Sequence, residues 1–200
     1  MRRILWTALA MTVVMTILTG LAYPLAITGI AQTAFHHQAN GSLVANAQGQ
    51  VVGSSLIAQP FTDAKGNTLP QWFQPRPSAA GSSGYDAMAS GGSNLGPTNP
   101  ALRSAVSSAL SAFRTDNHLA PTTPVPVDAV TTSGSGLDPE ISIANARLQA
   151  PRVAAARHIP LATVDALINQ ATVGRVLGIF GEPGVNVLEL NLALDRIASR

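Results

Sequence analysis

The chain has no cysteine. That excludes disulfides, thiolate metal sites, cysteine nucleophiles and a lipid anchor through cysteine. Charge is scarce, at 11% of 200 residues, and aromatic residues make up only 4%. Two of the 12 basic residues, Arg2 and Arg3, precede the first apolar run. From Ala31 onward ten basic residues face ten acidic ones, so the body of the chain is neutral. Nucleic-acid binding needs clustered positive charge with stacking aromatics. Neither is present, and nucleic acid is excluded as a partner. There is one lysine, Lys65, between Ala64 and Gly66. A phosphate loop of the Gly-Lys-Ser/Thr kind is therefore absent.

Long apolar sequence is what the chain does have. Residues 4–30, ILWTALAMTVVMTILTGLAYPLAITGI, carry no charge. As a helix this run would be roughly 40 Å long, enough to cross a hydrocarbon core of about 30 Å. The apolar region of a signal peptide is only about 7–15 residues long, so the run reads as a membrane anchor. Gly29-Ile30-Ala31 is a small-x-small site that keeps cleavage open as the alternative. Arg2 and Arg3 lie before the run, and the next basic residue is Lys65. The positive-inside rule then places residues 1–3 in the cytoplasm, 4–30 across the membrane and 31–200 outside it. Trp6 and Tyr23 fall near the two interfaces, and Pro24 predicts a kink in the last turns. Ala8, Thr12, Thr16 and Gly20 recur every four residues, a stripe of small side chains on which another helix can pack. The alternative is a chance pattern among common residues. No charge in the run marks an ion path, so any channel would belong to another chain.

The rest predicts a single mixed α/β domain, making the whole an α+β protein with one N-terminal transmembrane helix. Ser54–Gln59 reads as a strand. Residues 69–100 form a long Pro/Gly/Ser-rich segment whose Trp72, Phe73 and Tyr85 argue for burial rather than a solvated linker. Asn99-Pro100 is a helix start, and Leu102, Val106, Leu110 and Phe113 follow on one stripe. Residues 124–130 read as a strand that begins after its prolines. Residues 139–158 read as a helix divided near Pro151, and 161–172 as a helix with Leu161, Val164, Leu167 and Ile168 inward. Residues 175–194 suggest a hairpin about Gly-Glu-Pro-Gly, with a short helix after it.

The segment TTSGSGLDPEIS, residues 131–142, is the most suggestive of chemistry. It is not a nucleophile elbow, because Ser135 has glycine directly on both sides. It fits helix entry, with Asp138 as cap, Pro139 at the first position and Glu140 in the first turn. Anion binding at that helix start is one alternative. A catalytic Ser133 or Ser135 working with His158 is the other. His36, His37, His118 and His158 form no H-E-x-x-H pair, and nothing in the sequence pairs the ten carboxylates for acid/base work. No catalytic or metal-binding residue is predicted.

Six segments in order carry a resemblance over nearly the whole chain. They are GSSLIAQPF, WFQPRPSA, SGGSNLGPTNPAL, TTSGSGLDPEIS, QAPRVA and LGIFGEPGVNVLELNLAL. Together they closely resemble the C subunit of the Kdp-type potassium-transporting ATPase, the KdpC family. Ala58, Trp72 and Pro75 depart from its usual pattern in minor ways. The resemblance implies a single-pass subunit of a bacterial inner-membrane complex, in contact with membrane lipid. A channel-like A subunit, an ATP-hydrolysing P-type B subunit and a small F subunit would be its partners. The C subunit would be neither pore nor hydrolase. It would act as a catalytic chaperone raising the ATP affinity of the B subunit, or as a cap on the outer face of the A subunit. No cofactor would be held firmly, and ATP would enter only in a ternary complex with the B subunit. Gln149, in LQAPRV, matches the segment given the nucleotide contact in the family; the residues themselves read it as a polar face position near a helix break. ATP is cytoplasmic while this domain is predicted outside, so an indirect coupling between distant sites is the consistent version. In that version the small-residue stripe packs in the membrane and the glycine-rich segments dock on the partner. The rival readings are a membrane-anchored serine hydrolase and a secreted cell-wall-binding module released near Ala31.

Overall fold

A computed structural model describes residues 1–198. Its contacts divide the chain into one unit over Met1–Leu43 and a second from Val44 onward. In the first unit, α1 (Arg2–Ile17), a wide π turn (Leu18–Ala22) and α2 (Tyr23–Ala34) form one continuous helix. It spans 33 residues with a mean hydropathy of 2.0 in its most apolar stretch, none of which is buried within the chain. At 1.5 Å per residue that is about 50 Å. Thr7, Thr12 and Thr19 return their hydroxyls to the carbonyls of Arg3, Ala8 and Met15, which satisfies those hydroxyls within the helix. The helix continues through Pro24. The adjustment lies ahead of it, where the Tyr23 amide donates to the Leu18 carbonyl five residues back. Pro24 has no N–H, and its ring would strike the Gly20 carbonyl in a regular helix; a wider turn makes room. The helix then continues to Ala34, beyond the expected boundary at residue 30. A single turn, α3 (His36–Ala39), follows.

From Leu43 onward come a hairpin of β1 (Leu43–Ala45) and β2 (Val51–Ser54), then α4 (Pro100–Asp116) and a 3-10 turn at Val127–Ala129. After these come β3 (Glu140–Ser142), α5 (Ile143–Arg157), α6 (Leu161–Gln170), β4 (Thr172–Val173), β5 (Gly184–Asn186) and α7 (Val187–Ala198). β5 is the centre of a small antiparallel sheet ordered β3-β5-β4, with Val185 opposite both Ile141 and Thr172. The core lies where α5, α6 and α7 meet this sheet: Ile141, Val153, Val164, Ile168, Leu190 and Leu194 are all buried there. Ala146, Ala150 and Ala154 give α5 a flat face for close approach. Phe73, from the Pro-rich segment, is fully buried in the same cluster. That burial alone contributes about 2–3 kcal/mol.

The helix start at Asn99 is as predicted: its Oδ1 accepts the Ala101 amide at 2.9 Å. The α4 stripe is only half-buried. Five other elements differ from expectation. The strand expected at Ser54–Gln59 lies earlier, at Val51–Ser54. It includes Gly53, where a Cβ would sit 2.7 Å from Gln59 Oε1 and 2.9 Å from Leu188 Cδ2. Residues 124–130 form no strand; directly after Pro126 the chain enters a 3-10 turn, Val127–Ala129. Residues 139–142 are not helical. The Pro139 carbonyl accepts the Val187 amide, Glu140–Ser142 joins the sheet, and Ser142 is the cap of α5, accepting the Asn145 amide at 3.1 Å. Asp138 instead accepts the Glu140 amide, turning the chain into the strand. α5 passes through Pro151 undivided. Pro151 and Arg147 are both exposed, so the carbonyl left without a donor faces water. The second apolar run of 175–194 is no hairpin arm. Only Gly184–Asn186 is strand, Asn186 Oδ1 accepts the Glu189 amide, and a full helix follows.

Candidate functional site

Asn145, Gln149 and Arg152 lie at i, i+4 and i+7 of α5, hence on one face. Gln149 is buried, 1% exposed, and does not sit beside a helix break. Its Oε1 accepts the Gln74 amide at 2.8 Å and Arg152 Nη2 at 2.9 Å. Its Nε2 donates to the Gln74 carbonyl and to Asn145 Oδ1, both at 3.0 Å. Two donors and two lone pairs are thereby all engaged inside the chain. Asn191 of α7 does the same one residue earlier. Its Oδ1 accepts the Phe73 amide at 2.9 Å, and its Nδ2 donates to the Phe73 carbonyl at 3.0 Å. Two helices therefore clasp the backbone of consecutive residues with side-chain amides. A segment with no ladder of its own must find such partners before its backbone can be buried.

Arg152 completes the clasp. Nε donates to Asn117 Oδ1 at 2.9 Å, and Nη1 to the carbonyls of Pro70 and Trp72 at 2.6 and 3.0 Å. Burial pulls its pKa down to about 10, with the Asp116 charge opposing, so the guanidinium stays charged at neutral pH. Arg157 stacks over the Trp72 ring at 4.1 Å and donates to the Gln71 carbonyl at 2.7 Å. Asn145 Nδ2 donates to Asp128, which also accepts the Ser142 amide and hydroxyl. Beside this network opens a cleft of about 270 Å³ whose wall includes Pro75, Tyr85, Phe113, Asp116 and Arg152. Tyr85 Oη donates to the Arg76 carbonyl at 2.7 Å, and burial pushes its pKa up to about 12, so it is no base here.

In the Ser-Gly-Ser-Gly loop Ser133 and Gly136 are buried, while Gly134 and Ser135 are exposed. Ser133 Oγ accepts the Gly136 amide at 2.9 Å, and Ser135 Oγ accepts the Leu137 amide at 3.1 Å. Ser78 Oγ donates to the Gly136 carbonyl at 2.6 Å, and the Gly91 amide donates to the Ser135 carbonyl at 2.8 Å. Gly136 has φ +67°, and a Cβ there would lie 2.6 Å from the Gly91 oxygen. His158 is exposed, in the left-handed conformation that ends α5, and hydrogen-bonds neither serine. The glycine-rich segments 78–92 and 133–136 thus dock on each other. Ala8, Thr12, Thr16 and Gly20 all lie exposed along the long helix, and a Cβ at Gly20 would meet only open space. Among the described residues no cluster of His, Asp and Glu has the make-up of a metal site.

Sequence reasoning missed Arg152, Asn191, Asn145 and Asp128. The signal was present in part: polar residues at helical spacing on a helix otherwise rich in alanine mark a polar face that is buried.

A profile of the family described as KdpC, K+-transporting ATPase, c chain, matches residues 5–196. The potassium-transporting ATPase KdpC subunit of Mycobacterium tuberculosis (strain H37Rv) is 57% identical over 197 residues, 98% of this chain and 100% of the relative. The subunits of the same name from Caulobacter sp. (strain K31) and Caulobacter vibrioides (strain NA1000) are 57% and 56% identical over 180 residues. These alignments cover 90% of this chain and 87% and 86% of those relatives. By the length of these matches and their identity, the chain belongs to the KdpC family.

Proposed function

We propose that the chain is the non-catalytic accessory subunit of an ATP-driven, P-type potassium uptake complex. It is anchored by the helix 2–34 with Arg2 and Arg3 in the cytoplasm and its folded body outside. It assembles with the channel-like A subunit, the ATP-hydrolysing B subunit and the small F subunit. The small-residue stripe Ala8, Thr12, Thr16 and Gly20 packs on a partner helix in the bilayer. The body raises the ATP affinity of the B subunit from a distance, as a coupling free energy between sites.

One observation carries this reading: the residue that matches the family's nucleotide segment is turned inward. Gln149 has every hydrogen-bonding position filled by Gln74, Asn145 and Arg152. A nucleotide would have to displace the clasp that holds Gln74. Gln149 instead positions the segment around Phe73 and Gln74, and any effect on ATP passes through the shape of the domain. The flanking charges support the orientation, with no basic residue between Arg3 and Lys65.

The test is topology. Ser83 is exposed and the chain lacks cysteine, so Ser83→Cys is a single label site. It is treated with a membrane-impermeant thiol reagent in cells carrying the assembled complex, with any outer barrier opened. Labelling of intact cells supports the external body and excludes direct ATP contact by it. Labelling only after the cytoplasmic membrane is broken reverses the orientation and restores Gln149 as a nucleotide ligand.

A further inference from the structure

The long helix has a gap in its own hydrogen bonding, and the sequence sets it. The ordinary donor to the Thr19 carbonyl is the Tyr23 amide, which is given to Leu18 instead. The wide turn would bring residue 24 to Thr19, but residue 24 is proline and has no N–H. The same proline deprives the Gly20 carbonyl of its ordinary donor. Gly20 has no side chain to cover this stretch, and a Cβ there would meet nothing within 4 Å. A second polar group stands close by. Thr7, Thr12, Thr19 and Thr33 return their hydroxyls to carbonyls of the preceding turn. The hydroxyls of Thr16 and Thr28 make no hydrogen bond among the described residues. Thr16 and Thr19 are three residues apart, hence on one face and about one turn from each other.

Depth decides what can satisfy them. Measured from Trp6 at the inner interface, Thr16 and Thr19 lie about 15 and 20 Å along the helix. Both fall within a hydrocarbon core of about 30 Å, whereas Thr28, at about 33 Å, has reached its outer edge. Acyl chains have no N–H or O–H, and the core holds no water, so the bilayer answers neither group. A second copy would lie parallel to the first and bring its own free carbonyl to the same depth, an acceptor against an acceptor. Its helix has no Asn or Gln before Gln32. An acceptor and a donor one turn apart are complementary to a single group that is both. A carboxamide is such a group: its NH2 donates to the Thr19 carbonyl, and its oxygen accepts from the Thr16 hydroxyl. Gly20 lets a partner helix come near enough to place it.

We propose that Thr16 and the Thr19 carbonyl form a docking site within the membrane for an Asn or Gln side chain on a transmembrane helix of another pump chain. The proposal rests on the reading of the chain as an anchored pump subunit and adds the chemistry of the partner to it. Pro24 opens the site, because it withdraws the donor that a regular helix would supply.

The test uses the full chain, co-expressed with the other pump subunits and, separately, alone in liposomes. Co-purification of the wild-type chain comes first; its failure overturns the subunit reading, and the site with it. The chain is then labelled with 13C at threonine carbonyls and 15N at glycine. Only Thr19-Gly20 and Thr28-Gly29 give a bonded pair, and Gly29→Ala removes the second. In solid-state NMR the Thr19 carbonyl resonance moves downfield in the complex relative to liposomes. Equal positions overturn the proposal: free in both, no donor arrives; bonded in both, the donor is water or a second copy. In liposomes Pro24→Ala moves the same resonance downfield, since the helix then supplies the N–H. No movement there means that the carbonyl was never free, which also overturns the site. The Asn and Gln residues in the membrane spans of the partners are then replaced by Leu, one at a time. One replacement returns the resonance to its liposome position; if none does, the carboxamide is rejected. Thr16→Val and Pro24→Ala each lower retention of the chain in the complex about 3- to 20-fold, the range for a hydrogen bond between membrane helices. Unchanged retention of both rejects the site.

Discussion

Two loops of this chain are both punctuated by glycines in the left-handed region, yet they behave oppositely. Residues 131–137 close on the protein: the serine hydroxyls accept the loop's own amides, the carbonyls of Ser135 and Gly136 accept from Ser90, Gly91 and Ser78, and Gly136 is there because neighbouring backbone leaves no room for a Cβ. Residues 175–182 turn outward: the glycines shape a hairpin, closed by Val176 and Phe180 and passing through Leu177 at φ +55°, whose large apolar side chains touch water. Glycine content sets the course of a chain but not what it meets. The residues between the glycines decide that, hydroxyls joining to the protein's own backbone and branched or aromatic side chains left against water.

The contrast between a closed region and an open one can be broken by mutation. The largest effect is expected at Arg152, which holds the carbonyls of Pro70 and Trp72 together with Asn117 and Gln149. Arg152→Ala destabilises the domain by about 3–5 kcal/mol, read by denaturant unfolding in detergent. A loss below about 1 kcal/mol would mean that segment 69–74 is not held by α5. Gly136→Ala comes next, at about 2–3 kcal/mol, combining positive φ with close contact to the Gly91 oxygen and the Ala80 amide. The same measurement on Leu177→Gly gives a change within about 0.5 kcal/mol, since relief of backbone strain offsets the added freedom of the unfolded chain. Equal losses at Gly136 and Leu177 would erase the distinction between the loops.

The smallest effect concerns Glu140, beside Gly184 in the sheet. Burial first, then the charges of Asp138 and Glu189, raise its pKa above the ordinary 4.5. The folded state then holds this proton more tightly than the unfolded chain. The resulting stability is fully present below pH 4.5 and is lost as pH rises through the native value. Glu140→Gln removes that slope. At neutral pH it gains no more than about 0.5 kcal/mol, because most of the group is screened by water. A pH series of melting temperatures for the two proteins checks the sign.

Where the physics is local, the sequence was legible. The uncharged run predicted one long helix, Asn99-Pro100 predicted the start of α4, and Val164, Leu167 and Ile168 face inward as their spacing requires, whereas Leu161, expected with them, stays exposed in the first turn of α6. Where two local signals compete, it misled. Asp138-Pro139 has the form of a helix start, but the Pro139 carbonyl is claimed by Val187, and the cap moves to Ser142. Three-residue strands carry too little alternation to be seen. The clasp was illegible for a stronger reason. Gln149 and Gln74 are 75 residues apart, and Asn191 and Phe73 are 118 apart. Nothing in either neighbourhood announces the other, although the polar spacing on α5 hinted that one partner existed.

Those separations also order events in time. The carbonyl of Ser55 is held by Asn186, and the backbone of Phe73 by Asn191. Synthesis proceeds from the N-terminus, so residues 55–75 are made long before their partners exist. The early part of the domain therefore lacks these partners until Asn186 and Asn191 emerge. High contact order of this kind slows folding and prolongs the exposure of Phe73 and Trp72. A chain stopped short of Asn186 would be a body without its fastening, presented to whatever proteases and chaperones patrol the compartment where it waits.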